Sequence, residues 1–303
     1  MTSAAEAHRK GVVLVLAAAF CWSTGGLIAR YISADIWTQM AGRGFFAAMT
    51  LLLFMLVRDG RNTWALFRGL GIPGLVVGLC FATASTSFII ALKHATVALI
   101  LVIQSTAPLI AALIAWLWMR EAIGWVRGLA MLVALFGVWR MVSGGESGGD
   151  FLGVVCSCVI ALALAIATVT VRRYQAIRMT PAMCLAATII MAIGLVARAP
   201  VAVSGGDVVL LVLFGAGQLA IGMIWFTTGA RLIPAGEAAL LGLLECVLGP
   251  LWVWIFRGEE PGQQAIVGGL LTIAAVAGNT IYDMTRVARV AGAAPERPLG
   301  GPV

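Results

Sequence analysis

Long apolar runs separated by short charged segments make up most of the chain. Seven of these runs contain no Asp, Glu, Lys or Arg over at least 18 residues, and each is long enough to cross a bilayer core of about 30 Å as a helix. Three more apolar stretches of similar length are interrupted by charged residues. The pattern predicts an all-α integral membrane protein with ten transmembrane helices. The predicted spans, one to ten, cover residues 11–29, 36–57, 69–92, 94–119, 122–142, 151–171, 179–197, 208–230, 235–256 and 261–282.

The composition agrees with a membrane protein and not with a soluble one. Of 303 residues, 61% are hydrophobic and 11% are charged, whereas soluble domains are about 25% charged. All six cysteines lie within predicted spans and are interpreted as small apolar packing residues. No grouping of histidine, cysteine and carboxylate residues along the chain indicates a metal site, so we expect neither a metal nor a cofactor.

Basic residues are distributed unevenly between the two sides of the predicted topology. With the N-terminus inside, the cytoplasmic segments hold 14 Lys and Arg residues and the outer segments hold 5. Because cytoplasmic loops are enriched in these residues, both termini are predicted to be cytoplasmic, in the inner (plasma) membrane, and this requires an even number of spans. The net charge of +7 follows from that topology and gives no reason to invoke nucleic acid.

The two halves of the chain repeat each other at an offset of 138 residues. Residues 88–121 align with residues 226–259, and apolar residues fill most positions between the matches. If each unit crosses the membrane an odd number of times, the second copy is inverted, a construction common in transporters that hold one site near the midplane. The matched pairs include Phe88 with Phe226, Lys93 with Arg231, Trp116 with Trp254 and Glu121 with Glu259.

The repeat and the topology together divide the chain into segments. A glycine-rich stretch, residues 143–150, is interpreted as a flexible linker between the two units. The predicted segments are a cytoplasmic N-terminus (1–10), a first five-helix repeat (11–142), the linker (143–150), a second five-helix repeat (151–284) and a cytoplasmic tail (285–303).

Several positions recur in the same order in both copies of the repeat. They are Pro108, Trp116, Arg120-Glu121, Gly128 and Gly137 in the first copy, and Leu244-Glu245, Trp254, Gly258-Glu259, Gly268-Gly269 and Gly278 in the second. Their order, spacing and duplication resemble the EamA-type members of the drug/metabolite transporter superfamily. One position departs from that family. Glu245 is followed by Cys246, where the family usually has proline, and Pro250 is expected to supply the helix break instead.

This resemblance implies a fold and a class of function. The implied fold is a bundle of ten helices, built as two inverted halves around a central cavity. Members of the family are secondary transporters, many of them exporters of amino acids and other metabolites, and one branch exports aromatic amino acids. The resemblance does not determine the substrate or the oligomeric state.

Two of the charged residues inside predicted spans are candidates for a functional role. Glu245 lies about ten residues into span nine, where a charged carboxylate costs about 2.5–3.5 kcal/mol on insertion scales. It is interpreted as a contact for a substrate amine, as a protonatable coupling group, or as a carboxyl group that holds helices together. Arg43 lies inside span two, and we expect it to pair structurally, with Glu245 as one partner, or to contact a substrate carboxylate.

The remaining candidate residues are uncharged. In span four, Pro108 frees a backbone carbonyl, and Gln104 is expected either to line a cavity or to bond another helix. Trp22 and Trp225 lie inside spans, where indoles serve as apolar walls or as packing residues. The predicted substrate-binding set is Trp22, Thr83, Gln104, Gln218, Trp225 and Glu245, and the predicted structural or gating set is Arg43, Pro108 and Pro250.

Three functions are compared with these residues. The leading hypothesis is a secondary transporter that exports small metabolites, foremost amino acids with aromatic or other apolar side chains, by alternating access. The second is a proton-coupled multidrug or metabolite transporter in which Glu245 is the coupling residue. An intramembrane enzyme is disfavoured because the spans show no set of nucleophile, base and metal ligands.

Overall fold

The structure is a computed structural model, which describes residues 2–120, 124–143, 149–174, 176–198, 203–233, 238 and 241–292. Nearly all of these residues are helical, and an isolated bridge between Ala95 and Gly149 is the one extended pairing among them. In the first half the helices are α1 (Thr2–Ser23), α2 (Gly25–Tyr31), α3 (Ile36–Asp59), α4 (Thr63–Arg68), α5 (Gly71–His94), α6 (Val97–Ser105), α7 (Ala107–Met119) and α8 (Trp125–Ser143). In the second half they are α9 (Phe151–Arg173), α10 (Thr180–Ala197), α11 (Gly205–Val212), the π-helix Leu213–Ile221, α12 (Gly222–Gly229), α13 (Leu244–Arg257) and α14 (Gln263–Gly292).

Eight helical segments within the described residues are long and apolar enough to cross a membrane. They coincide with predicted spans one to four, six to eight and ten, so the prediction of a multi-pass helical membrane protein is confirmed for these. Predicted spans five and nine correspond to α8 and α13, which are not among the eight. In α8 basic residues lie near both ends, and the described part of α13 has 14 residues, so these two spans stay predictions.

Several helices differ from simple straight spans. Span one is interrupted at Thr24 and span four at Thr106, and span eight contains the π-helix. Helix α1 begins at Thr2 and α14 continues to Gly292, so helical structure extends beyond both outer limits of the predicted repeats. The predicted break at Pro250 is wrong, because α13 continues through this proline and the chain turns earlier, at Leu243.

Helices from the two halves pack as antiparallel pairs with closely approaching backbones. Helix α3 lies on α10, where Gly44 faces the backbone at Ala187 and Gly194 faces the backbone at Trp37. Helices α8 and α14 are also antiparallel, since Thr272 donates to the Ala134 carbonyl while Gly137 faces the Gly268 carbonyl. Small residues permit this approach, which matters in a bilayer because lipid provides no hydrophobic drive between helices.

The sequence repeat also appears in equivalent helix contacts. Gly11, at the start of the α1–α12 pair, packs against the side chains of Leu232 and Ile233. Gly153, at the start of α9, packs against the backbone of His94 and the side chain of Ala95. The 138-residue offset relates His94 to Leu232 and Ala95 to Ile233. A packing contact in one half therefore has a counterpart in the other.

Helix α6 is the most enclosed part of the bundle and positions the residues that follow it. Leu99 and Ile100 are fully buried in the main apolar cluster, which also contains Ile89 of α5 and Ile160 of α9. The end of α6 therefore reaches the interior of the protein, and Gln104 lies at that end.

Replacing Gly44 by Ala tests the close packing of α3 on α10. An added Cβ would lie 2.5 Å from the Met191 nitrogen and 2.6 Å from the Ala187 carbonyl, so we expect a loss of about 1–3 kcal/mol in the free energy of unfolding. Gly128→Ala is the matched control, because nothing lies within 4 Å of its Cβ position. Thermal unfolding of the purified variants in detergent measures both, and an equal effect at the two positions would contradict the packing account.

Candidate functional site

Two membrane helices are broken at nearly equivalent positions of the repeat. Helix α6 ends at Ser105 and α7 begins at Ala107, with a turn at Thr106, whose N–H donates to the Ile103 carbonyl at 3.1 Å. In the second half the chain turns at Leu243 before α13 begins. These turns are one residue apart under the 138-residue offset. Broken helices expose backbone polar groups, which membrane proteins tolerate where the backbone lines a cavity or is buried in protein.

The two broken helices contact each other close to their breaks. The Cys246 thiol on α13 donates to the Leu101 carbonyl on α6 at 3.5 Å, and glycine 249 faces the Leu101 side chain. Gln104 lies one helical turn from Leu101, and Glu245 precedes Cys246, so both polar residues lie near this crossing. We call the group formed by Gln104, Glu245 and the turns at Thr106 and Leu243 the crossing site.

Two polar side chains of the crossing site, those of Glu245 and Gln104, have no hydrogen-bonding partner among the described residues. Glu245 is partly exposed and forms neither a hydrogen bond nor an ion pair with them. Gln104 is also partly exposed, and its amide is likewise unbonded within the described part of the chain. Thr106, in contrast, donates its hydroxyl to the Ile103 carbonyl of its own helix at 2.7 Å. The carboxylate and the amide are therefore the groups of this site that can bond a ligand.

Arg43 lies at the centre of a separate buried network. Its guanidinium donates to Ser85 Oγ at 2.8 Å and to Gln218 Oε1 at 3.0 Å. The Phe214 ring lies 4.3 Å and the Phe88 ring 5.7 Å from the guanidinium carbon. Arg43 is 4% exposed, so it joins α3 to α5 and to the π-helix.

The expected direct pairing of Arg43 with Glu245 is not found. Their charges interact electrostatically, but the nearest partners of the guanidinium are the uncharged Ser85 and Gln218 and two aromatic rings. These groups occupy the positions around Arg43 that a carboxylate would need for a bidentate contact.

The other predicted site residues lie in different surroundings. Gln218 belongs to the Arg43 network, and its amide nitrogen donates to the Trp22 carbonyl at 3.3 Å. The Trp22 indole packs on the Phe226 ring, with centroids 5.1 Å apart. Trp225 is 37% exposed, and no ring contact joins it to another described aromatic residue.

Thr83 is not near the Arg43 network. It is exposed on the α5 face that also carries the exposed side chains of Ile72, Leu75 and Leu79, since these positions recur at helical spacing. Ser85, two residues later, points about 200° away around the helix. Thr83 therefore lies on an apolar outer face of the bundle.

Sequence reasoning missed contacts between residues far apart in the chain. The Trp252 indole on α13 donates to Ser23 Oγ at 3.0 Å and packs on Phe20, joining α13 to α1. Phe214, which covers Arg43, precedes Gln218 by one helical turn. That i, i+4 spacing of an aromatic and an amide is the sequence signal from which Phe214 could have been found.

Comparison with known proteins identifies the family. The family model of the EamA-like transporter family matches residues 9–143 and again residues 147–281. The chain belongs to the EamA-like transporter family. No curated protein matches it by sequence. A solved crystal structure, described only as that of a protein, is 18% identical with a TM-score of 0.63, and the match covers 91% of this chain and 98% of the other. That similarity shows a shared fold.

One end of this EamA-like bundle is held together by the glutamate of the repeated motif. Glu259 forms an ion pair with Arg30 at 3.0 Å and accepts the Val97 N–H, the first of α6, at 3.0 Å. Arg30 also donates to the carbonyls of Leu92, at 2.6 Å, and Ala95, at 3.0 Å, where α5 ends. We call this group the Arg30–Glu259 cluster. The cluster places the Arg30 cation at the carbonyls where α5 ends and the Glu259 anion at the first N–H of α6. Helix dipoles favour both placements.

Further contacts strengthen the same end. Tyr31 donates its hydroxyl to the Phe256 carbonyl at 3.1 Å, and His94 bonds Asp150 at 2.7 Å. The Gly153 N–H and the His94 ring, both bonded to the Asp150 carboxylate, lower its pKa below the ordinary value. His94 thus holds Asp150, the residue that caps the start of α9.

The opposite end of the bundle also joins the two halves. Arg178, just before α10, donates to both carboxylate oxygens of Asp59 at the end of α3, at 2.9 and 3.2 Å. Nearby, the exposed Arg173 lies over the Trp118 ring at 5.1 Å. Glu121, which matches Glu259 in the repeat, lies outside the described residues.

Glu259→Gln tests whether the cluster joins the halves. The change removes the ion pair with Arg30 and weakens the cap on α6, so we expect a loss of about 1–3 kcal/mol in the free energy of unfolding, the range for hydrogen bonds to charged groups. Glu260→Gln is the control, since Glu260 is the exposed next residue. Unfolding temperatures in detergent measure both, and equal temperatures for the two variants would show that the cluster has no such role.

Proposed function

We propose that the chain is a secondary transporter that exports small metabolites, foremost amino acids with apolar side chains, across the inner membrane by alternating access. The observation that carries this proposal is the crossing site. It brings a carboxylate and an amide that have no partners among the described residues to a point where two broken helices meet, inside a bundle of a transporter family. Discontinuous helices at the interface of two repeats commonly form transporter sites.

The proposed architecture is ten spans in two inverted halves, with both termini cytoplasmic. Support comes from the antiparallel α3–α10 and α8–α14 pairs, because a pair whose members are repeat equivalents of each other must be antiparallel when the repeats are inverted. The duplicated contacts of Gly11 and Gly153 agree with the same arrangement. In the predicted topology the Arg30–Glu259 cluster lies on the outer side, so the described conformation is closed at that side.

An apolar cleft adjoins the crossing site and completes a site for an amphipathic molecule. It has a volume of about 300 Å³ and is lined by Leu16 of α1, by Leu243, Leu244 and Val247 and by Ile273 of α14. This size is at the lower end of ligand sites. A substrate with one polar end and one apolar side chain would place them at Glu245 and in the cleft.

Proton coupling through Glu245 is the second candidate. The carboxylate is partly exposed and has no hydrogen bond or ion pair with the described residues, so no such bond has to break when it takes up or releases a proton. Under this hypothesis a pH gradient drives flux, and the gradient has no effect on a Gln variant.

Transport by proteoliposomes containing the purified protein tests both candidates. We expect saturable uptake of labelled apolar amino acids, and a decrease of about tenfold or more in Glu245→Gln, since a lost hydrogen bond to a charged group is worth about 1.5–3 kcal/mol. Glu260→Gln is the control with the same change of charge at an exposed position. Uptake of no amino acid by the unmodified protein would contradict the proposed substrate class. Dependence on an imposed pH gradient, lost in Glu245→Gln, would favour the coupling role.

A further inference from the structure

The terminal nitrogens of the buried arginine are occupied by protein groups. Arg43 donates from one to Ser85 and from the other to Gln218, while its remaining Nε is buried and has no hydrogen-bonding partner among the described residues. Phe214 covers the guanidinium on one face. A substrate carboxylate could reach this cation only by displacing two hydrogen bonds and a ring contact.

The acidic residue at similar depth is in the opposite situation. Glu245 is partly exposed and has no hydrogen bond or ion pair with the residues that the structure describes. An unpaired carboxylate away from bulk water attracts a cation strongly and repels an anion. Gln104 adds a neutral group that can accept from an ammonium or donate to an oxygen.

From this asymmetry we infer that the crossing site selects its substrate by positive charge. The preferred class is an amphipathic organic amine, with its ammonium at Glu245 and its apolar part in the cleft beside Leu243 and Val247. A substrate carboxylate is not required, because Arg43, the cation that interacts electrostatically with Glu245, has both terminal nitrogens bonded to protein groups. This inference rests on the proposed function and adds the order of preference, in which cations rank above zwitterions and zwitterions above anions.

Three compounds that share one side chain separate these cases. Benzyltrimethylammonium is a permanent cation, phenylalanine a zwitterion and N-acetylphenylalanine an anion. Equilibrium binding to the purified full-length protein is measured by titration calorimetry, and competition with labelled phenylalanine is measured in proteoliposomes. We expect the cation to bind about tenfold or more tightly than the anion, and Glu245→Gln to abolish this difference.

Two further variants distinguish charge selection from a structural effect. Glu260→Gln, on the exposed loop, keeps the full preference for the cation. Arg43→Gln lowers the unfolding temperature but leaves the ranking of the three compounds unchanged, because Arg43 does not contact the substrate.

The outcomes separate this inference from the proposed function. Binding of the cation without transport of any compound would support charge selection and contradict transport. Transport of phenylalanine with neither binding nor competition by the cation would overturn charge selection and leave transport intact. Tight binding of N-acetylphenylalanine that is lost in Arg43→Gln would overturn the inference and assign the carboxylate to Arg43.

Discussion

The membrane interior provides no water to bond polar groups, so every polar side chain at depth must find its partner in the protein or in a ligand. Arg43 meets this constraint at both terminal nitrogens, through Ser85 and Gln218, and lies against the Phe214 ring, while its buried Nε has no partner among the described residues. Glu245 does not meet it with the described residues. The difference matters because an unsatisfied polar group in hydrocarbon costs several kcal/mol. We interpret the Arg43 network as structural and the carboxylate as the group whose partner is the transported molecule.

The same constraint explains where the helices break. Turns at Thr106 and Leu243 leave backbone groups that only protein or a cavity can satisfy, and both lie where α13 meets the enclosed end of α6. At the outer end of the predicted topology, Arg30 and Glu259 satisfy the termini of α5 and α6 with side chains from opposite halves of the chain. Because Glu259 belongs to the second half and its partners Arg30 and Val97 to the first, relative movement of the halves at this end must break the contacts of Glu259. At the other end the Arg178–Asp59 ion pair joins the halves.

Much of the fold could be predicted because apolar runs of bilayer length determine membrane helices almost by themselves. The break in span four was also predictable, since Pro108 removes a backbone donor. The turn at Leu243 was not, because no proline marks it, and Pro250 misled the prediction. The partners of Arg43 lie 42 and 175 residues away in the chain, and no local pattern reveals such pairings. The depth of Glu245 followed from the sequence. That it has no hydrogen bond or ion pair with the described residues could be seen only from the packing of its neighbours.

Chemical accessibility of the crossing site tests the central claim most directly. The six native cysteines are first replaced, and a single cysteine is then introduced by Gln104→Cys or, for comparison, by Thr83→Cys. Each variant is treated in proteoliposomes with a membrane-impermeant thiol reagent. We predict that the cysteine at position 104 reacts and that an amphipathic amine slows the reaction. At position 83, on the apolar outer face, we predict no reaction. A cysteine at position 104 that reacts from neither side of the membrane would contradict the account.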